Sequence, residues 1–234
     1  MTIDNDFYTV LMVSTINSMY GKFSSQIRFD HTMIALDSII KKIPKAKILF
    51  IDNSNEPIKD EWQKQIKEKV TVFHQLEHNL FSLVSNINVA TKSESEANML
   101  FKAFDLLRQH NLLGKRIFKI SGRYRITDEF DMSLYEKSEI ENKYTFVVTS
   151  MASSGDNWIT QKKTMWLEQA LISFTPANLD EFQRILIGAL ADMRKTGNCI
   201  EETLFHYIPH ENIVPIDKAH IEGLKAEGNE IVRY

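Results

Sequence analysis

Residues 115 to 131, KRIFKISGRYRITDEFD, hold the densest run of side chains able to do chemistry. Ile117, Phe118 and Ile120 read as an apolar strand; Ser121, Gly122, Arg123, Tyr124 and Arg125 then bring together a hydroxyl, a glycine turn, two guanidinium groups and a phenol. Backbone can approach closely at a glycine, and arginine forks match phosphate oxygens, so the stretch suits the floor of a site for an anionic ligand. A strand ending in a solvated turn is the other reading of the same residues.

Two more apolar runs end in polar residues. YTVLMVSTI, residues 8 to 16, closes on Ser14 and Thr15, and the run at Ile48, Leu49, Phe50 and Ile51 closes on Asp52, Asn53, Ser54 and Asn55. In open α/β sheets ligands bind beyond the carboxyl ends of the strands, which makes Ser14 and Thr15 a candidate wall and places Asp52 where a carboxylate can accept from ribose hydroxyls or a base N–H. The alternatives are a helix-capping loop and a turn-forming aspartate. Lys92 opens KSESEAN, where Ser93 or Ser95 can cap a helix whose amino terminus, with the lysine, also suits a phosphate. In CIEETLFHYIPH, Ile200, Leu204, Phe205 and Ile208 face inward, with Glu201 at the border of that face and Glu202 further toward solvent. His206 and His210 are spaced by four, but Pro209 breaks the helical face needed to aim both at one metal.

These groups need a scaffold, and the pattern between them supplies one. The spacing predicts a helix over 28–43 closed by Pro44, a charged helix over 58–69 with Trp62 and Ile66 inward, a strand at 70–75, and a fourth strand at 116–121 beside the first. Two helical stretches precede that fourth strand, with Leu80, Leu83, Val84 and Ile87 on the face of one and Met99, Leu100, Phe101, Phe104 and Leu107 on the face of the other. Strand, helix, strand order predicts parallel pairs with right-handed crossovers. Further on, 144–151 is a strand, ASSGDNWITQKK suits a mobile loop over a site, and 165–174 fits a strand or a helix. A helix follows Asn178 with Phe182, Ile185, Leu186, Leu190 and Met193 as its stripe, and ends at Lys195 to Asn198. The last residues, 211–234, read as Val214-Pro215-Ile216, a short amphipathic helix around Ala219 to Ala226, and a final IVRY packing back on the main sheet.

A chain of 234 residues, 43% hydrophobic, can bury one sizeable core, and a net charge of -3 argues against a general nucleic-acid binder. The single cysteine, Cys199, excludes an internal disulfide framework and any site of several cysteines, fits a reducing compartment, and reads as a buried structural thiol. MTIDNDFYTV carries acids where a secretory signal carries positive charge, and no apolar run approaches the roughly 20 residues of a transmembrane helix, so a cytoplasmic protein is expected. Walker, Rossmann, HExxH, paired CxxC and GxSxG patterns are absent. The expectation is one α/β domain with a mostly parallel twisted sheet and helices on both faces.

The apolar first strand ending in Ser/Thr, the second ending IDNS, Lys92 with Glu96 opening a helix, and FKISGRYRI together resemble GT-A-fold glycosyltransferases, closest to phage and bacterial proteins with a KISGRY-type stretch. The resemblance spans roughly 8–205, with KISGRY as its sharp part, and implies a single GT-A-like domain over 1–234 with a nucleotide-binding half over 7–126 and an acceptor-side half and carboxyl-terminal packing segment over 144–234. It implies a nucleotide-diphosphate sugar as donor, UDP-sugar favoured, and a glycan or other hydroxyl as acceptor. It also implies that Asp52, Ser14 and Thr15 lie near the nucleoside, that Ser121 to Arg125 lie at the diphosphate, and that a late-helix carboxylate, Glu201 with Glu202 in reserve, acts as base. The sequence departs from the family where Ser121-Gly122-Arg123 replaces the metal-holding Asp-x-Asp. Arg123 and Arg125 could stabilise the leaving diphosphate without Mn²⁺ or Mg²⁺. Asp128, Glu129 and Asp131 offer a metal an alternative place, or cap a helix. A nucleotide-sugar binder without transfer activity and an α/β interaction module are the other functions these residues allow.

Overall fold

The computed structural model describes residues 6–18, 22–76, 89–152, 163–224 and 231–234. Four strands, β1 (Tyr8–Ser14), β2 (Ala46–Asp52), β3 (Val72–Gln75) and β4 (Ile117–Ser121), run parallel; β7 (Lys163–Phe174) lies antiparallel to β4, β6 (Tyr144–Ala152) antiparallel to β7, and β8 (Ile213–Pro215) parallel to β6. The order across this sheet is β3-β2-β1-β4-β7-β6-β8. β5 (Tyr124–Ile126), β9 (Ile221–Leu224) and β10 (Ile231–Arg233) form a second, antiparallel sheet in the order β10-β9-β5.

The continuous apolar runs follow from burial on both sheet faces. From β1, Leu11 and Val13 point to a core built with α3 (Val89–Gln109), α4 (Leu179–Thr196) and α5 (Ile200–Tyr207). Tyr8, Val10 and Met12 point to a second core under α1 (Ser25–Lys42) and α2 (Asp60–Lys67). Residues 165–174, which fit two readings, are strand, because both flanks are paired, to β4 on one side and β6 on the other. α4 carries the expected stripe and ends on Gly197 at φ 71°, a left-handed cap that glycine adopts without strain. The β1–β2 parallel pair, the β4 position beside β1, and the buried Cys199 are as expected.

Three local expectations differ. Ser93 and Ser95 lie inside α3 and are buried, so neither caps it. The Ala219 to Ala226 helix is replaced by β9 as far as Leu224: Ile221 is fully buried, and the free edge of β5 offers Tyr124 and Ile126 as ladder partners, which outweighs a short helix. The final IVR pairs with β9 rather than with the main sheet, while Val214 does join that sheet through β6. The apolar face at 80–87 and most of the loop at 152–163 lie outside the described residues.

A buried arginine locks the parallel and antiparallel halves together. Arg116 donates from Nε to Ser173 Oγ at 2.7 Å, from Nη1 to the Ile140 carbonyl oxygen at 3.1 Å, and from Nη2 to that of Lys143 at 3.2 Å. Arg116→Met removes these donations, leaving Ser173 Oγ its contact with the Thr145 hydroxyl and the Ile140 carbonyl its Lys143 N–H, and is expected to cost about 2–4 kcal/mol. Urea unfolding measures it, and an unchanged midpoint would show that the guanidinium is dispensable.

Candidate functional site

At the carboxyl edge of the sheet, a cavity of about 390 Å³ opens where β1 and β4 end and where α1 and α3 begin. Ser14 and Thr15 from β1, Ser121, Gly122 and Arg123 from β4, and Lys92 from α3 all line it, so six residues read from the sequence converge. Gly122 is required by close approach. Its N–H donates to the Val13 carbonyl oxygen at 2.7 Å, and a Cβ there would lie 3.0 Å from Ser14 Cβ and Oγ. The first turns of both flanking helices contribute to its wall, the end of a helix where negative charge is favoured.

Arg28, His31, Lys22 and Phe23 also line the cavity and were not foreseen. Arg28 is held by the Phe23 and Thr15 carbonyl oxygens, at 3.4 Å from Nε and 3.0 Å from Nη1. Burial, and next the neighbouring Arg123, lower the Arg28 pKa. Burial also lowers the His31 pKa, with Arg28 and Arg123 adding to it and Asp30 opposing. Arg123 Nε is buried with no hydrogen-bond partner among the described residues. Cations packed this closely in partial burial are a charge arrangement that an anionic ligand would relieve. The signal for Arg28 and His31 was their i, i+3 spacing in the first turns of the helix after β1, at the ligand-binding edge.

Asp52, Tyr124 and Arg125 do not line this cavity. Asp52 is fully buried, with Oδ2 accepting from Ile16 N–H at 3.0 Å and Oδ1 from Ser54 N–H at 2.8 Å. Burial raises its pKa against those donors and the Ser54 and Ser14 hydroxyls, and the carboxylate ties the β1 and β2 exits together instead of facing a nucleoside. Tyr124 is buried edge-on against Tyr234, ring centroids 5.7 Å apart. Arg125 points into a larger groove of about 1080 Å³ beside α1, and pairs with Glu222. The charges in that groove are largely matched, Lys41 and Lys42 by Asp128, Arg125 and Arg233 by Glu222, so the smaller cavity is the better anion site. Asp131 caps the 3₁₀ turn Met132–Tyr135, as the capping reading had it, and Asp128, Glu129 and Asp131 stand outside the smaller cavity.

Glu201 lies behind the cavity rather than on its wall. Burial pushes its carboxyl from 4.5 up to about 7, the Glu96 carboxylate adds to the rise, and Cys199 and Lys119 pull against it. Glu96 is on the cavity wall and is ion-paired with Lys119. Glu202, expected toward solvent, is buried. The start of α5 has no side-chain cap of its own; Ser93 Oγ, from α3, accepts the Ile200 N–H at 3.1 Å.

With this geometry in place, solved structures give its context. Core-mannan synthase A from Aspergillus fumigatus, in its Mn/GDP form, is similar over 95% of this chain and 75% of its own, at 10% identity and a TM-score of 0.54. The mannosyltransferase Ktr4p from S. cerevisiae matches over 91% and 69%, at 11% identity and 0.52. The bifunctional glycosyltransferase WbbM matches over 92% of this chain and 39% of its own, at 7% identity and 0.53. The fold is therefore that of GT-A-type nucleotide-diphospho-sugar transferases. No protein-family model matches the sequence, and no curated protein matches it.

A divalent ion after β4 does not fit the residues standing there. Ser121, Gly122 and Arg123 offer no carboxylate, and among the described residues the cavity wall carries a single acid, Glu96, already paired with Lys119, and no three His, Cys, Asp or Glu side chains converge. No helix among the described residues is long and apolar enough to cross a membrane.

The raised Glu201 pKa has a stability consequence with a definite sign. Between 4.5 and about 7 the folded state holds a proton that the unfolded chain has released, so this group's contribution to stability falls as pH rises through that window and levels off above it. Glu201→Gln is expected to remove this slope, gaining about 1–2 kcal/mol relative to the unsubstituted protein at pH 8 over pH 5 once solvent access is allowed for. Urea unfolding at the two pH values measures it; parallel pH profiles for both proteins would contradict the shift.

Proposed function

We propose that this protein transfers a sugar from a nucleotide-diphosphate sugar to an acceptor hydroxyl. The observation that carries the reading is the cluster of Arg28, Arg123 and Lys92 around one cavity at the carboxyl edge of the sheet, with Arg123 Nε buried and unpartnered among the described residues. In this reading the diphosphate sits against those cations and the small residues Ser14, Ser121 and Gly122 let it approach the backbone. The acceptor oxygen bonds to the anomeric carbon, and the anomeric C–O bond breaks with its electrons passing to the diphosphate. Fixed guanidinium groups are already in place where that charge appears, which is the work a metal does elsewhere. Glu201, whose carboxyl burial pushes up to about 7, is the candidate base for the acceptor proton in this reading.

A second reading, a nucleotide-sugar binder without transfer, is favoured by one fact: Glu201 is not on the cavity wall. Release of free sugar or glycosylated product separates the two.

The test is a melting-temperature screen against UDP, GDP, CDP, ADP and their sugars, each with Mn²⁺ and with EDTA. UDP-sugars come first, and GDP-sugars second because one structural neighbour was captured with GDP. A selective rise that survives EDTA is expected, and Arg123→Met should weaken binding by about tenfold or more. No rise with any diphosphate would leave the interaction-module function in its place.

A further inference from the structure

Lys119 sits in the middle of β4 on the face shared with the core residue Ile117, and its side chain is 1% exposed. An ammonium in that position is costly, and an apolar residue would extend the core more cheaply. It persists with two partners, donating to Glu96 Oε1 and to the Gln169 carbonyl oxygen. The Glu96 side chain is 23% exposed and is the only carboxylate among the described residues that line the cavity. An acid in that wall works against an anionic ligand unless its charge is cancelled from behind, and Lys119 stands in the position to cancel it. The ammonium of Lys119 engages Oε1, so the carboxylate keeps its second oxygen for a further donor.

We propose that Glu96 receives hydroxyl groups of the neutral, sugar part of the ligand beside the diphosphate, and that Lys119 is a positioning residue that fixes this carboxylate and cancels its charge toward the anion. The proposal rests on the nucleotide-sugar reading above and adds to it which residue meets the sugar. Of the other groups near this pair, Glu201 on α5 acts on Glu96 through charge, Gln169 on β7 is neutral, and Lys92, one turn earlier on α3, is a cation on the same cavity wall that stays in place in every variant below.

Calorimetric titration with inorganic pyrophosphate, and with the nucleotide sugar that gives the largest melting shift, tests both parts. Lys119→Met is expected to weaken pyrophosphate binding by about tenfold, the effect of one uncancelled neighbouring charge, and adding Glu96→Gln should restore it to within about twofold. Glu96→Gln alone should leave pyrophosphate affinity no weaker, since it leaves the Lys119 charge uncancelled, while losing about tenfold of the extra affinity contributed by the sugar. A lysine that merely supports the fold predicts no restoration in the double variant, and that result overturns the charge-cancelling role. An unchanged sugar increment in Glu96→Gln overturns the recognition role; that single variant carries its test even if Lys119→Met fails to fold. Pyrophosphate binding that all three variants leave unaltered overturns this proposal alone. Failure of the unsubstituted protein to bind either ligand overturns the transferase reading and this proposal together.

Discussion

Backbone contact between the tips of β1 and β4 sets the dimensions of everything at the sheet's edge. The Gly122 N–H meets the Val13 carbonyl oxygen directly, and the missing side chain lets Ser14 sit against it. That contact fixes where β4 turns, and so where Arg123 emerges relative to Arg28 on the helix leaving β1. Two guanidinium groups would separate if the chain let them. Here Arg28 is anchored by backbone carbonyl oxygens and Arg123 lies over the Tyr124 ring, so their repulsion is retained at the cavity.

The two faces of the sheet do different work. On the α1 side the core is apolar and aromatic, with Phe29 stacked on Trp62 and Phe118 against Tyr135. On the α3 side a polar layer runs beneath the helices near the cavity: Asn53 donates to Ser95, Lys119 to Glu96, and the Ile200 N–H to Ser93. Buried polar groups survive only when partnered, so this layer specifies the seating of α3 and α5 more narrowly than apolar contact would.

The sequence was most legible where one physical cause dominates. Runs such as YTVLMVS announce strands buried on both faces, and polar residues at their ends announce the edge where ligands gather. Ser14, Thr15, Ser121, Gly122 and Arg123, which line the cavity, were read by that logic, and Lys92 from its place at the start of a helix. Asp52 was misread because sequence shows that an acid ends a strand, not whether it turns inward to hold backbone N–H groups. Arg28 and His31 were passed over because RFDHTMIALDSII was read for its apolar spacing. Residues 221–224 depend on a partner a hundred positions away, β5, and local pattern carries no trace of it.

The Ser93 hydroxyl that receives the first N–H of α5 has a mechanical meaning. Apolar surfaces can slide by fractions of an ångström at little cost, whereas a buried hydrogen bond resists being stretched. The helix carrying Glu96 and the helix carrying Glu201 are therefore tied near their facing ends by a directional bond. Any shift of α3 at the cavity would have to stretch that bond or carry the start of α5 with it, which links the acid on the wall to the acid behind it.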